Sequence, residues 1–373
     1  MTNVKSSISN LNSQISNAKP KVLLGMSGGI DSTVSAMLLL EQGYEVVGVT
    51  FRTYDSMKES CLAREKGCCT IESIMEAKHN AEKMGFEHHI VDFRDTFNRC
   101  VIRNFIDEYM SGHTPNPCVL CNSHIKWGEL LRVADELGCD YVATGHYARI
   151  REHDGHLYLA TAADEKKDQT YFLWMLTEEN LHRTIFPLGD YTKDQVRAIA
   201  RAHGYETLAV KKESQEICFI PNDDYRAFLR ANVPDYDQKV KPGAYINAEG
   251  KVLGSHQGFV NYTIGQRKGL GIALGHPAYV TKIDADRNEV TLGTNDDLLA
   301  TELHFKPHGT NLSQWIGQPG LTAKVRYRST AVPVQIENES RMVFATLVWG
   351  ITPGQSVVVY HDNLLIGGGT IIS

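Results

Sequence analysis

The chain has 373 residues, 42% of them hydrophobic and 22% charged, with 38 Lys and Arg against 44 Asp and Glu for a formal net charge of −6. That is the composition of a globular protein of two or three domains, and no apolar run approaches the roughly 20 residues that a bilayer-spanning helix needs. The negative balance excludes a protein that coats nucleic acid by bulk electrostatics and leaves room for one local basic groove.

In chain order, residues 1–19 are rich in Ser and Asn, contain no Arg and no aromatic residue, and show no apolar core of a signal peptide. They read as a flexible tail on a cytoplasmic protein. Lys21–Gly25 is a short apolar run that meets a glycine cluster, and Thr33–Gln42 continues with helix formers, so the order is strand, tight turn, helix. Glu45–Phe51 and Glu87–Phe93 read as further strands, Ile71–Met84 as a helix closed by Gly85, and Arg99–Tyr109 and Lys126–Leu137 as helices. Tyr141–Thr144 is a fourth strand that ends in Gly145 and His146. Strands alternating with helices predict right-handed crossovers and a doubly wound parallel α/β sheet, placed at residues 20–222.

Past Pro221 the texture changes. Gly243, Gly250, Gly254, Gly258, Gly265, Gly269, Gly271 and Gly275 crowd a stretch with few helical periods, which reads as a small Gly-rich connector over 223–293. Short alternating runs follow, among them Thr322–Arg328, Val332–Ile336, Val343–Val348 and Ser356–Tyr360, and predict a C-terminal antiparallel β-barrel over 294–373.

The turn between the first strand and the first helix is Gly25-Met26-Ser27-Gly28-Gly29-Ile30-Asp31-Ser32. Adjacent glycines let backbone approach an anion, two serines offer hydroxyls, and a helix N-terminus offers free N–H donors, so the turn is a phosphate cradle. It lacks the Lys of a Walker A loop and the GxGxxG spacing of a dinucleotide fold. The SGGxDS pattern resembles the pyrophosphate loop of the ATP pyrophosphatases. That resemblance implies ATP, attack at its α-phosphorus, and Asp31 binding Mg²⁺ or orienting the pyrophosphate. Phe51 and Gly145 end strands on the same sheet edge and are candidates to face the nucleotide, Phe51 with core packing as its other reading.

Eight cysteines are too few for a secreted disulfide scaffold of this length, so their positions carry the information. Cys118 and Cys121 lie in a turn-rich stretch ahead of the helix expected from Lys126, where a helix dipole lowers a thiol pKa. Cys218 lies nearly a hundred residues later. Three arrangements are open: a zinc site completed by Cys61, Cys68 or Cys69; an iron–sulfur cluster on Cys118, Cys121 and Cys218; or a redox and nucleophile pair, Cys121 with Cys218, that carries sulfur. Cys100 and Cys139 read as core.

Several motifs then occur in one order: Gly25–Ser32, Gly67–Thr70, Thr114–Pro117 with Leu120–Asn122, Ala143–Tyr147, Lys167–Leu173, Ser214–Phe219 and Tyr262–Gly271. Together they resemble the bacterial tRNA-specific 2-thiouridylases from about Pro20 to the C-terminus. The resemblance implies ATP-dependent 2-thiolation of the wobble uridine of a tRNA anticodon stem-loop. Cys218 would carry a persulfide received from a relay protein or cysteine desulfurase, and Cys121 would be its disulfide partner. It further implies that Asn116, Pro117 and Cys118 face the target base. RNA contacts would fall at His146, Lys167, Asp168, Gln169, Arg326, Tyr327 and Gln355. One departure stands out: the family's NPDxxCN pattern has Cys118 in place of the Asp. A third soft ligand beside Cys121 and Cys218 keeps a [4Fe–4S] cluster among the readings.

Two other function classes fit parts of the chain. A small-molecule ATP pyrophosphatase would use the loop but has no need of the distant cysteines or the basic barrel segment Lys324–Arg328. A non-catalytic RNA-binding protein with structural zinc would bind RNA without ATP.

Overall fold

The structure, a computed structural model, describes residues 19–54, 71–211, 217–308 and 312–373. The expected tail, apart from residue 19, lies outside the described residues, as do Cys61, Cys68, Cys69, Gly67–Thr70 and Ser214–Glu216.

Strands β1 (Lys21–Gly25), β2 (Glu45–Arg52), β3 (His88–Asp92) and β4 (Tyr141–Thr144) form a parallel sheet. A hairpin of β5 (Arg149–His153) and β6 (His156–Ala160) follows, and the short β7 (Thr184–Ile185) completes the sheet in the order β3-β2-β1-β4-β7. The residues dictate this arrangement. Val22, Leu23 and Leu24 of β1 are all fully buried, Leu23 in a cluster with Val49 and Val142, Val22 and Leu24 in another with Ala77 and Ala143. A strand covered on both faces must be apolar at every position, as this one is. Each such side chain contributes about 1.5–3 kcal/mol of burial. Helices α1 (Ile30–Glu41) and α2 (Ile71–Met84) cross between the first three strands. Because β2 and β4 flank β1, the chain reverses direction across the sheet at β1, and a crevice opens at its carboxyl end. The glycine turn sits there.

The helix expected from Lys126 starts earlier. Pro117 opens it at the first helical position, and it runs through a wide π segment, Cys121–Glu129, into Leu130–Glu136. Cys118 and Cys121 therefore belong to the helix rather than to a turn ahead of it. Pro115 and Pro117 gave the stretch its turn-like signal, although a proline at the first position needs no N–H partner.

The Gly-rich connector is more ordered than its composition predicts. Strands β8 (Gly243–Ile246), β9 (Val252–His256), β10 (Tyr279–Asp284) and β11 (Glu289–Gly293) form a mixed sheet in the order β10-β11-β8-β9. Gly243 lies where a Cβ would stand 2.1 Å from the Asn288 carbonyl oxygen, so this glycine permits strand packing rather than breaking it. Val280, Val290 and Tyr245 join the same apolar cluster as Phe105 and Phe219 of the α/β domain.

Strands β12 (Leu299–Pro307), β13 (Leu321–Lys324), β14 (Val332–Asn338), β15 (Arg341–Trp349), β16 (Ser356–His361) and β17 (Leu364–Ile371) close into the expected antiparallel barrel through the β12–β17 pairing. Closure leaves this sheet no free edge between those strands. Its core includes Phe305, Ile336, Met342 and Val357. β17 also pairs with β6, Leu364 opposite Ala160 and Leu365 opposite Leu159, which ties the barrel to the first domain. The strand expected over Thr322–Arg328 stops at Lys324, so Arg326 and Tyr327 lie in the following turn.

Candidate active site

The cradle is built from backbone. Gly29 caps α1 without a side-chain hydrogen bond, leaving the first N–H groups of the helix unclaimed by a cap. Gly28 has φ +71°, and a Cβ there would lie 2.4 Å from the Ser73 carbonyl oxygen of α2, so only glycine fits. The Ser27 N–H donates to Ser32 Oγ at 3.3 Å, and Ser32 Oγ and Thr33 Oγ1 donate to the Gly29 carbonyl at 3.1 and 2.9 Å. Asn80 of α2 in turn donates to Thr33 Oγ1 at 3.2 Å. Ser27 is exposed at the mouth, while Met26, Gly28, Ile30 and Ser32 are buried. Gly145 lies against the back of the loop. A Cβ on it would meet the Asp31 carbonyl carbon and the Ser32 nitrogen at 2.9 Å, so its missing side chain sets loop packing. Phe51 packs against Phe93, ring centroids 5.1 Å apart, which is the core reading of that side chain.

Asp31 is not an open carboxylate. Lys193 Nζ donates to both of its oxygens at 2.8 and 2.9 Å, and the Tyr147 hydroxyl donates to Oδ1 at 2.8 Å. Neither partner was found from the sequence. Tyr147 sits in the recognised Ala143–Tyr147 motif, but Lys193 follows only a helix cap at Thr192 and bears no local signal. Among the described residues, no group of three His, Cys, Asp or Glu side chains is placed to hold a metal ion. With both Asp31 oxygens engaged, the described residues do not group into a protein-held Mg²⁺ site.

A second cluster lies beyond β4. Lys126 Nζ donates to His146 Nε2 at 3.3 Å, which leaves Nδ1 carrying the proton that it donates to Thr144 Oγ1 at 2.7 Å. The ring packs against Trp127 and Phe186. Burial, with the Lys126 charge adding to it, holds His146 well below the usual imidazole range, so it is neutral at pH 7. The Cys118 side chain reaches solvent. Desolvation raises its pKa against the opposing pull of Lys126. The lowering expected from the helix dipole loses to desolvation, and the Cys118 thiol pKa moves up instead. Cys121 and Cys218 are both half-buried, and both pack against the apolar cluster that contains Phe105 and Phe219. Cys139 is buried, as expected of a core residue. Asn122, beside Cys121, is 3% exposed; its Nδ2 donates to the Phe172 carbonyl at 2.8 Å, and its Oδ1 has no hydrogen-bond partner among the described residues.

Three family models match consecutive parts of the chain: a tRNA methyl transferase HUP domain over residues 20–222, a tRNA methyl transferase PRC-barrel domain over 231–294, and an aminomethyltransferase beta-barrel domain over 296–371. The tRNA-specific 2-thiouridylase MnmA of Amoebophilus asiaticus is 46% identical over 360 residues, 95% of this chain and 95% of that one. The chain belongs to the tRNA-specific 2-thiouridylase family. The 2-thiouridylase of Cytophaga hutchinsonii is 44% identical over 95% of this chain and 98% of its own, and that of Clostridium perfringens 44% over 95% and 99%. Among solved structures, a complex of a 4-thiouridine synthetase with RNA and bound ATP aligns with 19% identity and TM-score 0.37 over 59% of this chain and 52% of that one, too slight a likeness to bear on function.

The positions at which the 2-thiouridylase resemblance implies RNA contacts divide by environment. Lys166 is exposed and Lys167 half-buried on the segment before Asp168. Asp168 itself is 5% exposed and accepts from the Ala162 N–H at 3.0 Å and Thr170 Oγ1 at 2.7 Å, with burial raising its pKa. Its side chain shapes the segment from inside. Gln355 donates to the Thr114 and Pro115 carbonyls at 3.0 Å, and Gly354 packs where a Cβ would stand 2.8 Å from the Thr114 oxygen. The barrel thereby braces the residues immediately before Asn116-Pro117-Cys118. Tyr327 packs on Phe172 with ring centroids 4.4 Å apart.

Arg326 donates to the Gly350 carbonyl at 3.0 Å, the Ile264 carbonyl at 3.1 Å and Thr352 Oγ1 at 2.6 Å, and lies over the Trp349 ring. It joins connector to barrel. Arg326→Ala is expected to destabilise that junction by about 1–3 kcal/mol, the cost of acceptors left unpaired. A lowered melting temperature and weaker tRNA binding in a filter assay, with unchanged ATP affinity, are the expected results. Unchanged stability would remove the clamp role.

Proposed function

We propose that the chain is an ATP-dependent tRNA uridine 2-sulfurtransferase that thiolates the wobble uridine. The observation that carries this reading is the chain-long likeness to 2-thiouridylases, which takes in loop, connector and barrel together. The uridine C2 oxygen attacks the α-phosphorus of ATP held at Gly25–Ser32, and pyrophosphate leaves. The terminal sulfur of a Cys218 persulfide then attacks C2, and AMP departs. The Cys121 thiolate attacks Cys218 Sγ, so the S–S bond to the base breaks, the C2=S group remains on the tRNA, and a Cys121–Cys218 disulfide forms. An external thiol reductant returns the pair to two thiols. Oxygen at C2 is a poor leaving group until it is phosphorylated, and a persulfide is a strong nucleophile near neutral pH.

Asn116, Pro117 and Cys118, braced by Gln355, are the residues assigned to the target base. The backbone N–H groups of the cradle would hold the β and γ phosphates of ATP, with Mg²⁺ arriving on the nucleotide rather than on Asp31. The sulfur donor is a persulfide-bearing relay protein or cysteine desulfurase, and the setting is cytoplasmic; no helix among the described residues is long and apolar enough to cross a membrane. Cys118, Cys121 and Cys218 are not grouped as metal ligands, so no step is routed through an iron–sulfur cluster.

The family models are described in terms of methyl transfer. The Gly25–Ser32 loop favours phosphate chemistry instead, since its free helix N–H groups and Gly28 backbone suit an anion. The test is pyrophosphate release from ATP with and without unmodified tRNA. Release that requires tRNA is expected. Equal release without RNA would favour a small-molecule ATP pyrophosphatase, and RNA binding without release would favour a binding protein.

A further inference from the structure

Lys193 is the first residue of the helix Lys193–Ala202, and its side chain is only 6% exposed although it bears a charge. A buried ammonium needs a partner, and Asp31 supplies it on both oxygens. The Lys193 backbone N–H, at the other end of the residue, donates to Asp164 Oδ2 at 2.9 Å. Tyr147 is held in the same manner. Its hydroxyl donates to Asp31 Oδ1, while its backbone N–H donates to Gln169 Oε1 at 2.9 Å and its carbonyl accepts from the Gln169 N–H at 2.9 Å. The two side chains that clamp the aspartate of the phosphate loop are thus anchored by their backbones to Asp164 and Gln169. Those residues bound one short segment, on which Lys166 is exposed and Lys167 half-buried.

We propose that Tyr147 and Lys193 are positioning residues that transmit the placement of segment 164–169 to the phosphate loop, so that RNA seated on the segment sets the geometry in which the pyrophosphate of ATP is held. This rests on the function proposed above, which supplies both ligands. The physical reason is charge. Asp31 stands in the first turn of α1, beside the N–H groups that would bind phosphate. An uncompensated carboxylate there repels an incoming polyphosphate, and a compensated one does not. A shift of the segment that stretches either clamp changes how far the carboxylate is neutralised and how the first turn of α1 is aimed. Hydrogen bonds of 2.8–2.9 Å at both ends of Tyr147 and Lys193 give the segment a continuous route to the loop.

The experiment uses the full chain with ATP and unmodified tRNA. Tyr147→Phe removes one hydroxyl and keeps the ring that packs in the core, so the fold is retained; Lys193→Gln and Lys193→Arg test the charge. Pyrophosphate release is measured with and without tRNA, and tRNA affinity separately by filter binding. The expected result is that Tyr147→Phe and Lys193→Gln raise the KM for ATP and cut the tRNA stimulation by about tenfold or more, with tRNA affinity changed less than about twofold and Lys193→Arg recovering part of the loss. Wild-type stimulation and KM in Tyr147→Phe would overturn the coupling while leaving the functional reading intact. A wild-type protein whose release ignores tRNA would overturn that reading and the coupling with it.

Discussion

Cys218→Ser will lose tRNA thiolation by a factor of about 1,000 or more while tRNA-dependent pyrophosphate release in a single turnover stays near the wild-type level. The reason is chemical. A serine hydroxyl cannot form a persulfide, and its pKa keeps it protonated where a thiol is in part ionised. Adenylation of the base needs only the phosphate loop and the bound uridine, so the two half-reactions separate in this variant. Cys121→Ser behaves differently in the proposed scheme: the base is attacked by the persulfide, but no thiol is left to cleave the S–S bond, and tRNA remains joined to the protein through sulfur. Mass spectrometry of the tRNA nucleosides and a non-reducing gel of the protein–tRNA mixture read both outcomes. Thiolation at the wild-type rate in Cys218→Ser would sink the persulfide scheme. A Cys118→Ser protein assayed in parallel, with iron measured anaerobically, tests the third thiol. Because the proposed scheme uses only Cys121 and Cys218, Cys118 is expected to be dispensable for persulfide transfer.

Gly28→Ala will disable ATP binding. The residue has φ +71°, a left-handed conformation that costs a residue with a Cβ about 1–2 kcal/mol. The new methyl would also stand 2.4 Å from the Ser73 carbonyl oxygen, a backbone atom with no flexible end to move aside. Overpacking of this kind adds about 1–3 kcal/mol. The loop relieves the clash by moving away from α2, which carries the first N–H groups of α1 out of register with a bound anion. At about 1.4 kcal/mol per tenfold, a cost of roughly 2–5 kcal/mol corresponds to ATP affinity weakened by about 30-fold or more. Titration calorimetry with a non-hydrolysable ATP analogue measures it. Gly250→Ala is the control: it also has positive φ, but no atom lies within 4 Å of an added Cβ, so it is expected to leave ATP binding unchanged. Wild-type ATP affinity in Gly28→Ala would show that the loop does not hold the nucleotide.

Legibility in the sequence differed by element. The parallel sheet was readable because β1, β2 and β4 are short, apolar and separated by helical periods, and the barrel because its strands alternate between turn signals. The connector sheet was hidden. Glycines at Gly243 and Gly254 lower strand propensity, yet they are present because His256, Asn288 and Ile272 pack against them. The start of the Pro117 helix was masked by prolines that mark a turn when counted and a helix N-terminus when placed. The end of the expected strand Thr322–Arg328 at Lys324 followed from Arg326, whose guanidinium is drawn to carbonyls of Gly350 and Ile264 that no local pattern could reveal.

The sequence by itself determined the chemistry on offer: a glycine-rich anion cradle between strand and helix, two distant thiols, and an ordered set of motifs covering most of the chain. Those depend on residue type and short spacing, and both are written locally. What only the tertiary structure decided is which of those groups are available. Asp31 is paired with Lys193 from 162 positions away, desolvation raises the Cys118 thiol pKa, Asp168 faces inward, and Arg326 serves as a clamp. Availability is set by desolvation and by long-range partners, and both come into being only when the chain folds.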